Sequence, residues 1–147
     1  QSLFFRKIKE ALGNRDDIKV SGDRFIFPSE IFFQSGSDII QNNGVEKLEN
    51  IALSLKEISE KIPKKIDWVL RIDGHTDKIP INNEKFNSNW HLSSSRAINI
   101  VKFLIQNDIP AKRLVAAGFG EYSPLINEDS EVAYQKNRRI EIKLTTR

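Results

Sequence analysis

The sequence predicts an α+β fold, a two-layer sandwich in which helices cover one face of a mixed β-sheet. Three observations predict it. Apolar residues recur at helical steps in some stretches, they alternate at the period of a strand in others, and the two kinds of segment take turns along the chain. At 147 residues there is room for one domain, long enough to bury roughly two thirds of the surface its unfolded form would expose.

Leu3 to Leu12 places Leu3, Phe4, Ile8, Ala11 and Leu12 at helical spacing and ends at Gly13-Asn14, a usual helix stop. Continued upstream as a coil, this helix is expected to form a homodimer. Ile18 to Val20 and Arg24 to Phe27 flank Ser21-Gly22-Asp23 and predict a short hairpin, which Pro28 interrupts. Phe32-Phe33 then runs into Gln34-Ser35-Gly36-Ser37, a loop by composition.

From Val45 the positions Leu48, Ala52, Leu55 and Ile62 step by threes and fours among Glu and Lys, which predicts an amphipathic helix ending near Pro63. Ile66, Trp68, Leu70 and Ile72 alternate with Asp67, Arg71 and Asp73, the pattern of a strand with one buried face, and Gly74 closes it. Residues 74–91 are polar, carry Pro80 and have no sustained period, so a long functional loop is expected there. The next helix is placed from Ser93, burying Ala97, Ile100, Val101, Leu104 and Ile105. Leu114 to Ala117 reads as a short strand closed by the tight turn Gly118-Phe119-Gly120, and Ile140, Ile142 and Leu144 alternate as a last strand. The order expected for the domain is βαβαββ. Residues 1–30 are assigned to a connecting segment with a helix and a hairpin, and residues 31–147 to the domain.

Composition narrows the chemistry. Lys and Arg number 23 against 20 Asp and Glu, and the net charge of +3 is spread along the chain, which does not suggest nucleic-acid binding. The absence of cysteine excludes disulfides, thiolate metal sites and Cys nucleophiles. No apolar run reaches the roughly 18 residues that would suggest a membrane span. The chain opens at Gln1 with no signal-peptide pattern, so processed sequence is expected upstream, and any membrane segment with it.

Two opposite charges stand out. With Ser93 as N-cap, Arg96 falls in the first turn of its helix, where the helix dipole disfavours a cation by a few tenths of a kcal/mol up to about 1. An anion held between the guanidinium and the free N–H groups would explain its tolerance there. Asp77 follows the strand that ends at Gly74 and is the natural receptor for an ammonium group. Together the pair would grip a zwitterion; alternatively, Asp77 and Arg96 pair with each other and hold the loop to the helix.

Gly74-His75-Thr76-Asp77, Asn89, Leu92-Ser93-x-x-Arg96-Ala97, Gly118-x-Gly120 with Pro124, and Asn137-Arg138-Arg139-Ile140 resemble, in order, the successive motifs of the OmpA-like peptidoglycan-binding domain. The likeness runs from about Phe32 to Leu144. It implies an OmpA C-terminal-like sandwich without catalytic activity or cofactor. Its partner would be the peptidoglycan stem peptide, bound through diaminopimelate, whose side chain ends in an ammonium and a carboxylate. The resemblance implies that Asp77 and Arg96 are the ligand-binding pair, with Thr76, Asn89, Leu92 and Ala97 around the ligand. Arg138 either borders the same groove or pairs with a loop acid. The long loop, with Ile79-Pro80-Ile81 and Ser88-Asn89-Trp90, is similar to that of MotB-type cell-wall anchors. That likeness implies a periplasmic domain in a Gram-negative-type envelope, attached to the inner membrane through sequence before Gln1. A MotA-like channel is the partner expected of a motor stator, and none of a passive envelope anchor.

Other chemistries are less well supported. His75, Asp77 and His91 as metal ligands would make a hydrolase, but they lack the fixed helical spacing of zinc enzymes. His75 is expected instead to orient its loop through a backbone hydrogen bond. Ser93 to Ser95 have no evident His and acid partners for nucleophilic catalysis. Trp68 and Trp90 are read first as packing residues, with Trp90, among polar neighbours, the better candidate for ligand contact.

Overall fold

The computed structural model describes Arg6, Glu10, Lys19–Ser21 and residues 24–147. The helix expected over Leu3–Leu12, apart from Arg6 and Glu10, which are helical, lies outside the described residues, as do the dimer contacts expected of it.

Among the described residues five strands form one mixed sheet: β1 (Lys19–Ser21), β2 (Arg24–Pro28), β3 (Trp68–His75), β4 (Leu114–Gly118) and β5 (Arg139–Thr146), in the spatial order β1-β2-β5-β3-β4. Only β3 and β4 run parallel; the other pairs are antiparallel. The helices are α1 (Asn42–Ser59), α2 (Asn89–Gln106) and a short α3 (Glu131–Asn137), with single 3-10 turns at Ser29–Ile31 and Ala111–Arg113. This is the α+β sandwich expected, with two additions. The hairpin β1–β2 joins the sheet through β5, so the sheet reaches back across the expected segment boundary at residue 30. The stretch Glu131–Asn137, where no element was expected, is helical, with Ser130 capping it by accepting from the Ala133 N–H at 3.1 Å.

The core forms where one face of the sheet meets α1 and α2. Cross-strand register puts Phe25 opposite Ile142 and Phe27 opposite Ile140. The same face carries Leu70 and Ile72, and Leu48, Ile51, Leu55, Ala97, Ile100 and Leu104 close over it from the helices, all 0–1% exposed. The tightest contact is at the strand ends. A Cβ at Gly74 would run into the Ser93 carbonyl oxygen, and one at Gly118 into the Ser94 hydroxyl and, at 2.6 Å, its backbone nitrogen. Small residues on both sides, glycines in the strands and serines in the helix, let the backbones touch.

The second face of the sheet departs from the alternating pattern. It was expected to meet water, yet Asp73, His75, Arg139 and Glu141 are each 5% exposed or less. Register sets Asp73 directly opposite Glu141, two acids that would repel. Arginines resolve the conflict: Arg139 Nε donates to Glu141 at 2.6 Å, Arg24 Nη1 at 2.7 Å, and Arg71 Nη2 to Asp73 at 3.1 Å. Burial raises the pKa of Asp73 despite Arg71, whereas at Glu141 the Arg139 and Arg24 partners outweigh burial and lower it.

His75 closes this layer by stacking on Phe119, ring centroids 4.6 Å apart. Neither ring nitrogen has a hydrogen-bond partner, so the loop-orienting backbone bond expected of it is not made. Burial, reinforced by Arg139, lowers its pKa to about 4, and the 3.9 Å approach of Nε2 to Glu141 is therefore no ion pair at neutral pH.

Two outcomes follow from this packing. Gly118→Ala is expected to cost about 1–3 kcal/mol of stability through overpacking, read as a lowered urea midpoint at unchanged slope. Ser94→Gly should restore only part, because the backbone nitrogen stays in the way. For His75 the folded pKa lies below the ordinary 6.5, so its contribution is whole above pH 6.5 and is lost as pH falls towards 4, by up to about 3 kcal/mol. Denaturation across that range should show the loss, and His75→Gln should remove it; an imidazole titrating near 6.5 by NMR would contradict the assignment.

Candidate functional site

At the end of the sheet where β3 finishes and β5 begins, a groove of about 410 Å³ opens between the 3-10 turn, the loop after it, the loop that follows β3, and α2. Six of the seven residues expected to hold ligand line it: Thr76, Asp77, Asn89, Leu92, Arg96 and Arg138. Ala97 does not. It is 0% exposed within the hydrophobic core, one residue round the helix from Arg96 and therefore on its inner face.

The helix that carries these residues begins earlier than its serines suggest. Ser88, not Ser93, is the N-cap of α2, its side chain accepting from the His91 N–H at 3.2 Å. Arg96 thus lies in the third turn, beyond the reach of the helix-end field, and the dipole explanation for it fails. Ser93 is instead a fully buried strut: its hydroxyl donates to the Trp90 carbonyl and accepts from Gly120 N–H at 3.0 Å.

Asp77 and Arg96 do not pair. Asp77 Oδ1 accepts from the Ile79 N–H at 3.0 Å, closing a turn, and Oδ2 accepts from Arg138 Nη1 at 2.7 Å. Arg138 holds Glu30 as well, at 3.0 Å, and reaches Glu131 at 3.5 Å. Both readings of Arg138 are therefore realised: it lines the groove and it pairs with the loop acid. Partial burial works against its charge, but the bonds to Asp77 and Glu30 prevail and its pKa is raised.

Arg96 is differently placed. It is 5% exposed, with Nε donating to the Ser37 carbonyl at 2.7 Å, Nη2 to the Gln34 carbonyl at 3.1 Å, and the guanidinium 5.0 Å from the centroid of the Phe33 ring. Among the described residues no carboxylate forms an ion pair with it. Burial draws its pKa down to about 10, so it remains charged at neutral pH. Its direct contacts are carbonyl dipoles and a ring face, while the carboxylates of Glu30, Asp38 and Asp77 favour its charge from beyond ion-pair distance.

Asn89 and Thr76 serve the backbone. Asn89 Nδ2 donates to the carbonyls of Asp77 at 3.3 Å and Ile79 at 3.1 Å, and Thr76 Oγ1 to the Asp77 carbonyl at 2.7 Å. These bonds fix the turn that aims the Asp77 carboxylate. Sequence reasoning passed over Glu30, Phe33, Ser35, Gly36 and Glu131 as lining residues, and singled out the loop that carries the apolar wall Ile79-Pro80-Ile81. Only that wall had a signal, an apolar island in a polar loop.

The metal reading is not supported by the geometry. His75 stacks behind the sheet on Phe119, His91 meets Phe86 edge-on at 5.4 Å, and Asp77 is held by Arg138. Among the described residues no three His, Cys, Asp or Glu side chains are grouped to hold a metal ion, and no helix is long and apolar enough to cross a membrane.

The chain is similar to Motility protein B of Bacillus subtilis, 40% identical over 118 residues that make up 80% of this chain and 42% of that protein. It thus spans less than half the length of that curated relative. A solved structure of the periplasmic domain of Helicobacter pylori MotB superposes with a TM-score of 0.72 at 28% identity, covering 88% of this chain and 80% of that one. A MotB-like protein from Desulfovibrio vulgaris shares the fold at a TM-score of 0.83 and 24% identity, covering 97% of this chain and 87% of that one. Residues 32–138 match the sequence profile of the OmpA family, a span that holds Asp77, Arg96 and Arg138, and the chain belongs to that family.

Proposed function

We propose that the groove binds the diaminopimelate residue of the peptidoglycan stem peptide, and that the domain thereby anchors a larger, membrane-attached protein to the cell wall. The observation that carries this reading is the buried Arg96 guanidinium without a carboxylate partner, in the same groove as Asp77, Glu30 and Glu131. A zwitterionic side chain matches the two ends, a cation receptor and an anion receptor in one groove. Its carboxylate goes to Arg96 and its ammonium to Asp77, with the aliphatic part between them along Leu92 and the Ile79-Pro80-Ile81 wall.

The ammonium competes with Arg138 for Asp77. Arg138 has somewhere to go, since Glu30 and Glu131 already hold it. The site binds and releases; no residue in it is arranged as nucleophile or metal ligand. One such site is weak, because association costs several kcal/mol in lost freedom. A polymeric wall offers many copies, and avidity supplies the grip.

Identity with Motility protein B favours a motor anchor over a passive one. The membrane attachment and a MotA-like channel contact then belong to the rest of the protein, with this domain on the periplasmic side.

Asp77→Ala and Arg96→Lys should each weaken binding of a diaminopimelate-containing peptide roughly ten- to a hundredfold, as expected for loss of a charge-assisted bond. Arg96→Lys keeps the charge but not the fork, and Arg96→Ala should also destabilise the loop at Gln34 and Ser37, visible in thermal melts. Variants that remain folded and still sediment with peptidoglycan like the parent would refute the site. In a second test, a peptide with lysine in place of diaminopimelate lacks the terminal carboxylate. Its NMR titration should perturb the region of Asp77 and leave the Arg96 side-chain signals unmoved.

A further inference from the structure

Trp90 and Tyr122 are 51% and 62% exposed, and their rings stack face to face, centroids 4.9 Å apart and planes 24° from parallel. Neither ring belongs to the core. Two large aromatics held together in water form an apolar surface with no intramolecular use, and such surfaces mark contact sites. Their mutual stacking fixes both rings in advance, so little side-chain freedom is left to lose on binding.

The pair is tied to the groove by short bonds. Trp90 is the second residue of α2, next to Asn89, which lines the groove. Tyr122 follows the turn at Gly120, whose carbonyl accepts from the Thr76 N–H at 2.9 Å and whose N–H donates to Ser93 at 3.0 Å. Glu121, between them, accepts from Asn89 at 3.3 Å. A Cβ built on Gly120 would touch both rings, 3.4 Å from Tyr122 and 3.5 Å from Trp90, which places this turn beneath the stack.

We propose that the Trp90–Tyr122 pair is a carbohydrate subsite, a platform for a pyranose ring of the glycan strand whose stem peptide lies in the groove. A pyranose has an apolar C–H face and a polar rim. The platform matches it with a flat aromatic face and, beside it in sequence, His91, Glu121 and Ser123. A protein partner would call for a wider apolar surround than these neighbours give. The inference rests on the groove reading for the continuity of the ligand, and its test separates the two.

The experiment compares a diaminopimelate stem peptide alone with the same peptide carrying its N-acetylglucosaminyl-N-acetylmuramyl disaccharide. The parent should bind the sugar-bearing ligand about tenfold more tightly, the scale of one aromatic contact. Trp90→Ala/Tyr122→Ala should abolish that difference and leave the affinity for the bare peptide unchanged; both positions are exposed, so folding is retained. A difference that persists, or an equal loss for both ligands, overturns the proposal. A trimer of β-1,4-linked N-acetylglucosamine provides the arm that does not depend on the groove. It should shift the Trp90 indole N–H signal, identified by its loss in Trp90→Phe, in the parent and in Asp77→Ala alike. If the trimer shifts Trp90 while the bare peptide binds nowhere, the groove reading fails and the platform stands. If the trimer leaves Trp90 unmoved, the platform is not a sugar site, as would be the case for a surface built for protein contact.

Discussion

The groove depends on how closely α2 lies against the ends of β3 and β4. Bare glycine backbone at Gly74 meets the backbone of Ser93, and at Gly118 the hydroxyl and backbone of Ser94. That contact fixes the helix at one height on the sheet. The chain leaving β3 must then pass directly beneath the first turns of α2, where Asn89 can reach two carbonyls of the Asp77 turn. Two turns further on, Arg96 is held over the loop at Gln34 to Ser37. The antiparallel ladder of β5 with β2 and β3 delivers Arg138 to the same end.

Charge is distributed unequally across the sheet. Behind it, acids and arginines are buried in matched sets, so each charge that lost its water gained a partner of opposite sign. His75 stays neutral within that layer. On the groove side, Asp77 is matched by Arg138, but Arg96 touches carbonyl dipoles and a ring, with no carboxylate among the described residues at ion-pair distance. The imbalance is local, and it lies where the family likeness places ligand.

Much of the fold was legible because its strongest signals are periodic. Leu48 to Leu55 and Leu70 to Ile72 carry their helix and strand in their spacing. The start of α2 was misread for a physical reason. Three serines in a row look like a cap, but Ser93 and Ser94 are small because strand backbone lies against them, and the cap is Ser88, set in a polar stretch with no period. Asp73 and Glu141 looked solvent-facing because alternation marks polarity and does not reveal that Arg71 and Arg139, two residues away on the same strands, and Arg24 from β2 pair with them. Asp77, Arg96 and Arg138 were found through motif order; the carbonyls of Gln34 and Ser37 that hold Arg96 were not, since pairings over 59 and 62 residues leave no trace in local spacing.

The Asp77–Arg138 pair has a consequence for the medium outside the cell. A ligand ammonium that displaces Arg138 exchanges one ion pair for another, with Arg138 passing to Glu30 and Glu131. Added salt screens the pair that is lost and the pair that is gained by similar amounts, so most of its effect cancels. The carboxylate end is protected differently, because Arg96 is buried and counter-ions approach it poorly. On the proposed reading, attachment to the wall is buffered against ionic strength, a property suited to a contact made in a compartment whose salt content the cell does not control.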